Sequence, residues 1–307
     1  MRNLEPRIVI FTDDPGWHGA RLREAFAARG CVANFVSLKS CHFDIGADAQ
    51  PLKIPGFEPA LPAAAFVRGV PGGSLEEVVF YLDILHALTE LNVPVYNDAR
   101  AIERSVDKGM TSFLLRNKGI PTPPTWVTND PEHARAVVMR EFAAGHALVC
   151  KPLFGAQGEG LMRLLPGDPL PAAEMLHGVY YLQRYIDTGE GSWHDWRVFV
   201  IAGRALLAMR REGATWISNV ARGGNCQPAV LDDGLRHLAE AAVAAVGMQY
   251  GGVDIIRDAT GQGWAVEVNS VPAWRGLQST CNVNIAELLA DDFLRQLEPG
   301  AMAEAAG

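Results

Sequence analysis

The hydrophobic pattern begins with an unbroken apolar run, Ile8-Val9-Ile10-Phe11, followed by the turn-rich Asp13-Asp14-Pro15-Gly16. A short run so bounded reads as a buried strand. Residues 20–29 suit a helix closed by Gly30, and 32–38 return as a strand. Residues 64–68 form another strand, Ser74 caps a helix running to 91, and 93–96 is a short strand. This strand–helix alternation predicts a small open α/β domain.

A second region starts near Ser105. Residues 107–117 read as a helix stopped by Gly119, after which Pro121, Pro123 and Pro124 force an extended path. A helix over 131–144 carries proline in its first turn. Strands over 147–152, 162–165 and 180–185 follow, with a glycine-rich loop over 154–160. The third region is rich in strands: 196–201, 205–210 beyond the turn at Gly203, and the pair 251–257 and 264–269. Between them, Leu235, Leu238, Ala239, Ala242, Val243 and Val246 make one buried helical stripe, and 285–297 is a closing helix. The expected organisation is an N-terminal α/β unit over 1–104, a central lobe over 105–186, a third lobe over 187–300 and a frayed tail over 301–307.

With 307 residues, 49% hydrophobic and 20% charged, the chain has enough apolar material for two or three small cores. No apolar run approaches the ~18 residues needed to cross a bilayer, and the polar start carries no sign of a signal peptide. The five cysteines, Cys31, Cys41, Cys150, Cys226 and Cys281, show no zinc-like spacing, and their odd number argues against a full disulfide framework. A reducing cytoplasm is the expected setting. A net charge of −8 argues against a general nucleic-acid binder, which needs a basic face. Neither a membrane nor a nucleic acid is expected as partner; homo-oligomerisation is left open.

The most informative segment is Ala265-Val266-Glu267-Val268-Asn269. Alternate side chains of a strand share a face, so Glu267 and Asn269 point together while Val266 and Val268 point into a core. Asp254, in Val253-Asp254-Ile255, can meet them across a ladder. Two carboxylates and an amide oxygen form a hard, all-oxygen set suited to Mg²⁺ or Mn²⁺. The alternative is a polar strand end with Glu267 on a surface arginine. Against it, both acids sit inside apolar runs, where a buried carboxylate needs a cation.

Lys151 ends a strand directly before Phe154-Gly155-Ala156-Gln157-Gly158-Glu159-Gly160, and Lys108 opens the helix over 107–117. Lysine beside mobile glycines and at a helix start suits phosphate binding. The loop matches neither the P-loop nor the dinucleotide fingerprint, and a plain hairpin or a solvated Lys108 remains the alternative. Asp195-Trp196-Arg197 opens one strand and Arg210-Arg211 closes the next, with Asn219, Arg222, Gly223 and Gly224 in the following loop. Arginine forks match phosphate and carboxylate. Alternation puts Arg210 and Arg211 on opposite faces, leaving Arg211 and Arg222 as the stronger candidates.

Taken in order, Val106-Asp107-Lys108, Lys151 with its loop, Gln183-Arg184-Tyr185-Ile186, Asp195-Trp196-Arg197, residues 219–224, Gly252-Val253-Asp254 and Glu267-Val268-Asn269 resemble the ATP-grasp superfamily. The resemblance is to the ligases that glutamylate ribosomal protein S6 and their relatives in lysine biosynthesis, over about 106–297. It implies an α/β (α+β) ATP-grasp fold: an open α/β pre-ATP-grasp domain, a small lid lobe and an antiparallel-sheet lobe. It further implies that Lys108 and Lys151 hold ATP phosphates and that Gln183, Arg184, Tyr185 and Ile186 form a hinge reading adenine through backbone groups. Asp195 is then near the ribose or hinge. Asp254, Glu267 and Asn269 bind Mg²⁺ or Mn²⁺. Arg197, Arg211 and Asn219 face the phosphates, and Arg222 the acyl phosphate or acceptor. The hinge often carries an acid where Arg184 stands, which puts a side-chain role there in doubt.

Thr12-Asp13-Asp14-Pro15-Gly16-Trp17-His18, Val67-Arg68-Gly69-Val70-Pro71-Gly72-Gly73 and Asn269-Ser270-Val271-Pro272-Ala273-Trp274-Arg275-Gly276-Leu277-Gln278 are similar to the family that glutamylates tetrahydromethanopterin-type cofactors. This resemblance implies an acceptor carboxylate and L-glutamate as substrates, with His18, Arg68, Trp274 and Arg275 near the acceptor. Trp274 is expected to stack on a flat ring, unless it is a packing residue in a proline-bent loop, and Arg275 to hold a carboxylate. Rival readings are a ligase for methylofuran, a protein tail or a carrier protein, a nucleotide-binding regulatory module without turnover, and, last, a nicotinamide oxidoreductase.

Overall fold

The computed structural model describes residues 6–46, 50–155, 158–189, 193–218 and 223–297. The first region contains β1 (Arg7–Phe11), α1 (Gly16–Ala27), β2 (Val32–Val36), the short antiparallel pair β3 (His42–Phe43) and β4 (Leu52–Lys53), β5 (Ala64–Val67), α2 (Leu75–Glu90), β6 (Val95–Tyr96) and α3 (Ala99–Val106). Strands β2-β1-β5-β6 form a parallel sheet. Both of its faces are covered, which explains the continuous apolar run of β1. Ile8 and Ile10 enter one core with Phe26 of α1, while Val9 and Phe11 enter another with Ile84, Leu85 and Leu88 of α2. Ser74 starts α2 through a reciprocal cap with Glu77.

The second region contains α4 (Lys108–Asn117), β7 (Thr125–Thr128), α5 (Pro131–Ala143), β8 (Leu148–Lys151), β9 (Met162–Leu164) and β10 (Tyr180–Arg184). Its antiparallel sheet has the order β7-β10-β8-β9. Ala134, Val137 and Val138 of α5 pack on Leu148, Cys150 and Leu182 of this sheet. The Asp107 carboxylate caps α4 by accepting from the Met110 N–H at 2.9 Å.

The third region contains β11 (Trp193–Ile201), β12 (Arg204–Gly213), β13 (Asn225–Pro228), α6 (Asp233–Val246), β14 (Tyr250–Arg257), β15 (Gly263–Asn269), α7 (Arg275–Gln278) and α8 (Ile285–Arg295). Its antiparallel sheet has the order β13-β12-β11-β14-β15. The stripe of α6 covers one face, against Val198, Val200, Val253, Ile255, Ala265 and Val268. The opposite face is divided: Phe199 and Tyr250 at one end join the core of the first region, and charged residues occupy the other end.

Two boundaries differ from expectation. The division after residue 104 falls inside α3, and α8 packs with the first region, where Leu289 and Phe293 share a core with Phe26 and Phe66. Asn97 fastens this junction. Its Nδ2 donates to the Tyr250 and Ser270 carbonyls, both at 2.8 Å, and its Oδ1 accepts from the Gln249 N–H at 2.8 Å. The tail over 301–307 lies outside the described residues. Among the described residues no helix is long and apolar enough to cross a membrane.

Candidate active site

A cleft of about 120 Å³ opens between the second and third sheets. One wall carries Lys108, Val149, Lys151, Gly155, Gly158 and Gln183 to Ile186; the other carries Asp195, Arg211, Trp216, Asp254, Ile256, Val266 and Glu267. Segments far apart in the chain thus converge on one volume.

On the sheet wall, alternation and antiparallel register assemble a charged row. Arg211 lies opposite Asp195, Arg197 opposite Asp254, and Asp254 opposite Glu267. The Arg211 Nε donates to Asp195 Oδ1 at 2.7 Å, and its second terminal nitrogen bridges to Asp254 Oδ2 at 3.0 Å. Arg197 grips Asp254 through two parallel bonds, Nε to Oδ1 and Nη2 to Oδ2, the latter at 2.9 Å. Burial works against the Asp254 charge, yet the two guanidinium groups overcome it and hold the carboxyl below its ordinary range. Conversely, the two aspartates raise Arg211 above its ordinary value despite its burial.

This geometry bears on three of the residues read from the sequence. Arg197 faces Asp254 rather than the cleft, so it orients a carboxylate and does not reach phosphates directly. The Asp195 carboxylate lines the cleft while it accepts from Arg211. Arg211 does line the cleft, as strand alternation requires. Asn219 and Arg222 lie outside the described residues.

A register shift between Asp254 and Ile255 changes the reading of β15. Ala265 pairs with Ile255 and Glu267 with Asp254, which leaves Val266 as the extra residue of a bulge. Val266 therefore lines the cleft with Glu267, instead of entering the core with Val268. Glu267 forms no ion pair or hydrogen bond among the described residues, although its charge raises the proton affinity of Lys108 and Lys151 across the cleft. Asn269 donates Nδ2 to the Gly252 carbonyl at 3.2 Å, which commits its nitrogen and not its oxygen. Among the described residues no group of three or more acidic, histidine or cysteine side chains is placed to hold a metal ion, and Asn269, unlike Asp254 and Glu267, is not on the cleft wall.

Opposite, Lys151 is buried and its Nζ donates to Gln183 Oε1 at 2.7 Å. Gln183 in turn donates from Nε2 to Tyr181 Oη at 3.0 Å and Thr125 Oγ1 at 3.1 Å, and Tyr181 Oη bonds Ser112 at 2.8 Å. The Gln183 side chain thus holds a lysine, with both amide hydrogens committed to Tyr181 and Thr125. Burial lowers the Lys151 pKa to about 8, with Glu267 opposing that shift and Lys108 reinforcing it. Lys108 reaches the glycine loop, donating to the Gly155 carbonyl at 2.7 Å, and burial lowers its pKa as well.

The hinge has a support that the sequence did not announce. Arg184 turns its guanidinium to Glu141, with bonds at 3.0 and 2.8 Å, leaving only its backbone toward the cleft. Glu141 sits on the buried face of α5, in step with Ala134, Val137 and Val138; an acid on an apolar stripe was the available signal. Trp216 was also missed; it meets the Tyr185 ring edge-on at 6.3 Å on the cleft wall.

The four acceptor-side residues do form one cluster, but with altered roles. Trp274 is 0% exposed and packs in the core with Phe199, so it offers no ring face to a ligand. His18 Nε2 accepts from the backbone N–H groups of Trp274 and Arg275, at 3.1 and 3.3 Å. Burial, then Arg68 and Arg275, depress the His18 pKa to about 4. Arg68 lies over the Trp274 ring, 5.0 Å from its centroid, and Arg275 is exposed.

Comparison with known proteins agrees with this architecture. Residues 105–293 match the RimK-like ATP-grasp domain. The tetrahydromethanopterin:alpha-L-glutamate ligase of Methanococcus maripaludis is 34% identical over 236 residues, covering 75% of this chain and 78% of that protein. A probable alpha-L-glutamate ligase 2 of Shewanella amazonensis is 31% identical over 278 residues, covering 88% and 89%. Among solved structures, the ATP-grasp ligase PsnB complexed with minimal precursor superposes with a TM-score of 0.73 at 23% identity, covering 95% of this chain and 99% of that one. D-cycloserine synthetase DcsG superposes with a TM-score of 0.68 at 19% identity, covering 95% and 100%. At these identities the structural likeness speaks for the fold. The three larger sheets, the cleft and the match over most of the chain lead to one assignment: this protein belongs to the RimK-like ATP-grasp family.

Proposed function

We propose that the chain is an ATP-dependent carboxylate–amine ligase that adds L-glutamate to the carboxylate of a tetrahydromethanopterin-type pterin. The observation that carries the reading is Glu267, a cleft carboxylate without an ion-pair partner among the described residues, facing Lys108 and Lys151. An acid and two cations placed so suit a metal-bound polyphosphate, which supplies charge of both signs. The glutamate ligases among its relatives support the amine and the pterin acceptor.

Asp254, Glu267 and Asn269 would hold Mg²⁺, with Mn²⁺ as a substitute; carboxylate and amide oxygens are the donors such cations prefer, Glu267 being unpartnered and Asp254 shared with Arg197 and Arg211. When bound, the cation supplies Lewis-acid neutralisation of phosphate charge. Lys151, fixed by Gln183, and Lys108 grip the phosphates. Arg211, held rigid by two aspartates, turns its remaining donor capacity to the charge that builds on the transferred phosphoryl group. Val149, Ile186, Ile256 and Val266 give the base apolar walls. The acceptor carboxylate attacks the γ-phosphorus, releasing ADP and giving an acyl phosphate. The glutamate amine attacks that carbonyl, phosphate departs and an amide remains. All five cysteines are free thiols, in keeping with a cytoplasmic setting.

The test is phosphate release from ATP and Mg²⁺ with L-glutamate and tetrahydromethanopterin. Release that needs both substrates, with a mass gain of one glutamyl residue, supports ligation. Tight ATP binding without release, whatever acceptor is offered, refutes it.

A further inference from the structure

Asn269 is the least secured of the three candidate cation ligands. It is the last residue of β15, and β15 is the edge strand of its sheet. A strand end on a sheet edge is held from one side only and opens readily. Asn269 follows Glu267 by two residues on the same face, at the margin of the cleft. Its Nδ2 donates to the Gly252 carbonyl, and its Oδ1 accepts no hydrogen bond among the described residues. A ligand has to stay within about 0.5 Å of its working position. Something outside the sheet must therefore hold this end.

The hold comes from the first region. Ser270, the next residue, is buried, as are Asn97 and Ser105. Asn97 Nδ2 donates to the Ser270 carbonyl at 2.8 Å. Ser105, on α3, places its Oγ 2.6 Å from Ser270 Oγ and 2.9 Å from the Ile102 carbonyl. A hydroxyl carries one proton, so the arrangement that satisfies all three groups has Ser270 donate to Ser105 and Ser105 donate to Ile102. The bonds of Asn97 to the Tyr250 carbonyl and to the Gln249 and Tyr250 N–H groups already fasten the two regions together. A separate attachment at Ser270, through both backbone and side chain, is more than that junction requires. The same stretch, 97–108, ends at Lys108 on the cleft wall.

We infer that Ser105 is a positioning residue for the cation site: with Asn97 it clamps Ser270 and so fixes the reach of the Asn269 amide oxygen. Ser105 and Asn97 act through Ser270 and contribute no ligand themselves. This rests on the reading of Asp254, Glu267 and Asn269 as the ligands of Mg²⁺. The first region thereby sets how firmly the third holds its metal. Removing an outer-shell support of this kind weakens metal binding by roughly 10–100-fold.

The experiment is calorimetric titration with AMPPNP, a non-hydrolysable ATP analogue, in excess Mg²⁺ and again in EDTA. The ratio of the two affinities is the metal-dependent gain, and linkage makes it a measure of metal affinity in the complex. Wild type, Ser105→Ala, Ser105→Ala/Ser270→Ala and Glu267→Gln are compared, each with its melting temperature. Ser105→Ala leaves a buried hydroxyl without its acceptor; the double variant removes both partners, so its stability returns toward wild type. The gain falls about tenfold or more in both, while affinity in EDTA stays within about twofold of wild type. A loss that persists in the double variant despite recovered stability supports positioning. A wild-type gain in both variants, or a gain that recovers along with stability, overturns it, as does an equal fall in EDTA; the cation reading then still stands. If Glu267→Gln keeps the wild-type gain, the cation reading fails and the positioning role fails with it.

Discussion

Arg197 and Asp254 face each other on neighbouring strands as a two-pronged ion pair, and Glu267, the next residue across the sheet, has no such partner. The two acids of one candidate metal site are therefore unequal. Asp254→Asn leaves two buried guanidinium groups short of charge and should destabilise the protein by about 3–5 kcal/mol. Glu267→Gln removes a carboxylate that makes no ion pair or hydrogen bond among the described residues and acts on the fold only through its charge near Lys108 and Lys151. Its melting temperature should match or exceed that of wild type, while turnover falls on the order of 10²-fold or more. Full activity in Glu267→Gln refutes the metal assignment.

Lys151 titrates near pH 8 in the free protein, on the lowered side of its ordinary value. Phosphate oxygens at Nζ favour the charged form, so ATP binding above pH 8 must take up a proton. Affinity for ATP should fall as pH rises through 8, approaching tenfold per unit, and hold steady below 7. Calorimetry in buffers of different ionisation heats reads the proton directly; zero uptake at pH 8.5 contradicts the coupling.

Gln183 ties Lys151 to Tyr181 and Thr125. Gln183→Leu keeps volume and removes the tether, and each bond to a charged partner is worth about 1.5–3 kcal/mol. KM for ATP should rise roughly tenfold or more by that figure, and the pH at which ATP affinity falls should move. An unchanged KM and pH profile would mean that Lys151 is held by packing alone.

His18 is neutral in the fold, with a pKa near 4 against an ordinary value of 6.5. The unfolded chain then binds the proton more readily, so stability rises with pH in this window. His18 contributes fully above pH 6.5, and the contribution is lost between 6.5 and 4. Chemical denaturation from pH 4 to 7 should show this leg in wild type and a flatter curve in His18→Gln.

Much of this was legible in the chain because strand alternation is local. The pairing of Glu267 with Asp254, the inward Arg211 and the lysine before the glycine loop all follow from neighbours in sequence. What escaped depends on register and on distant packing. The bulge that turns Val266 into the cleft arises between two strands, and neither strand announces it alone. The burial of Trp274 is decided by Phe199 and His18, far away in the chain. Helix α3 was overlooked because residues 99–106 lack a long periodic stripe, although Asp98 caps it by accepting from the Ala101 N–H at 2.7 Å.

The return of α8 to the core of the first sheet has an outcome for synthesis on the ribosome. Phe26 and Phe66 are made early, yet their partner Phe293 is among the last described residues to be translated. The opening α/β unit must wait, with one apolar face uncovered, until residue 293 has emerged. Release of a chain cut short before residue 285 leaves that face bare, which makes such a fragment a client for chaperones and a seed for aggregation.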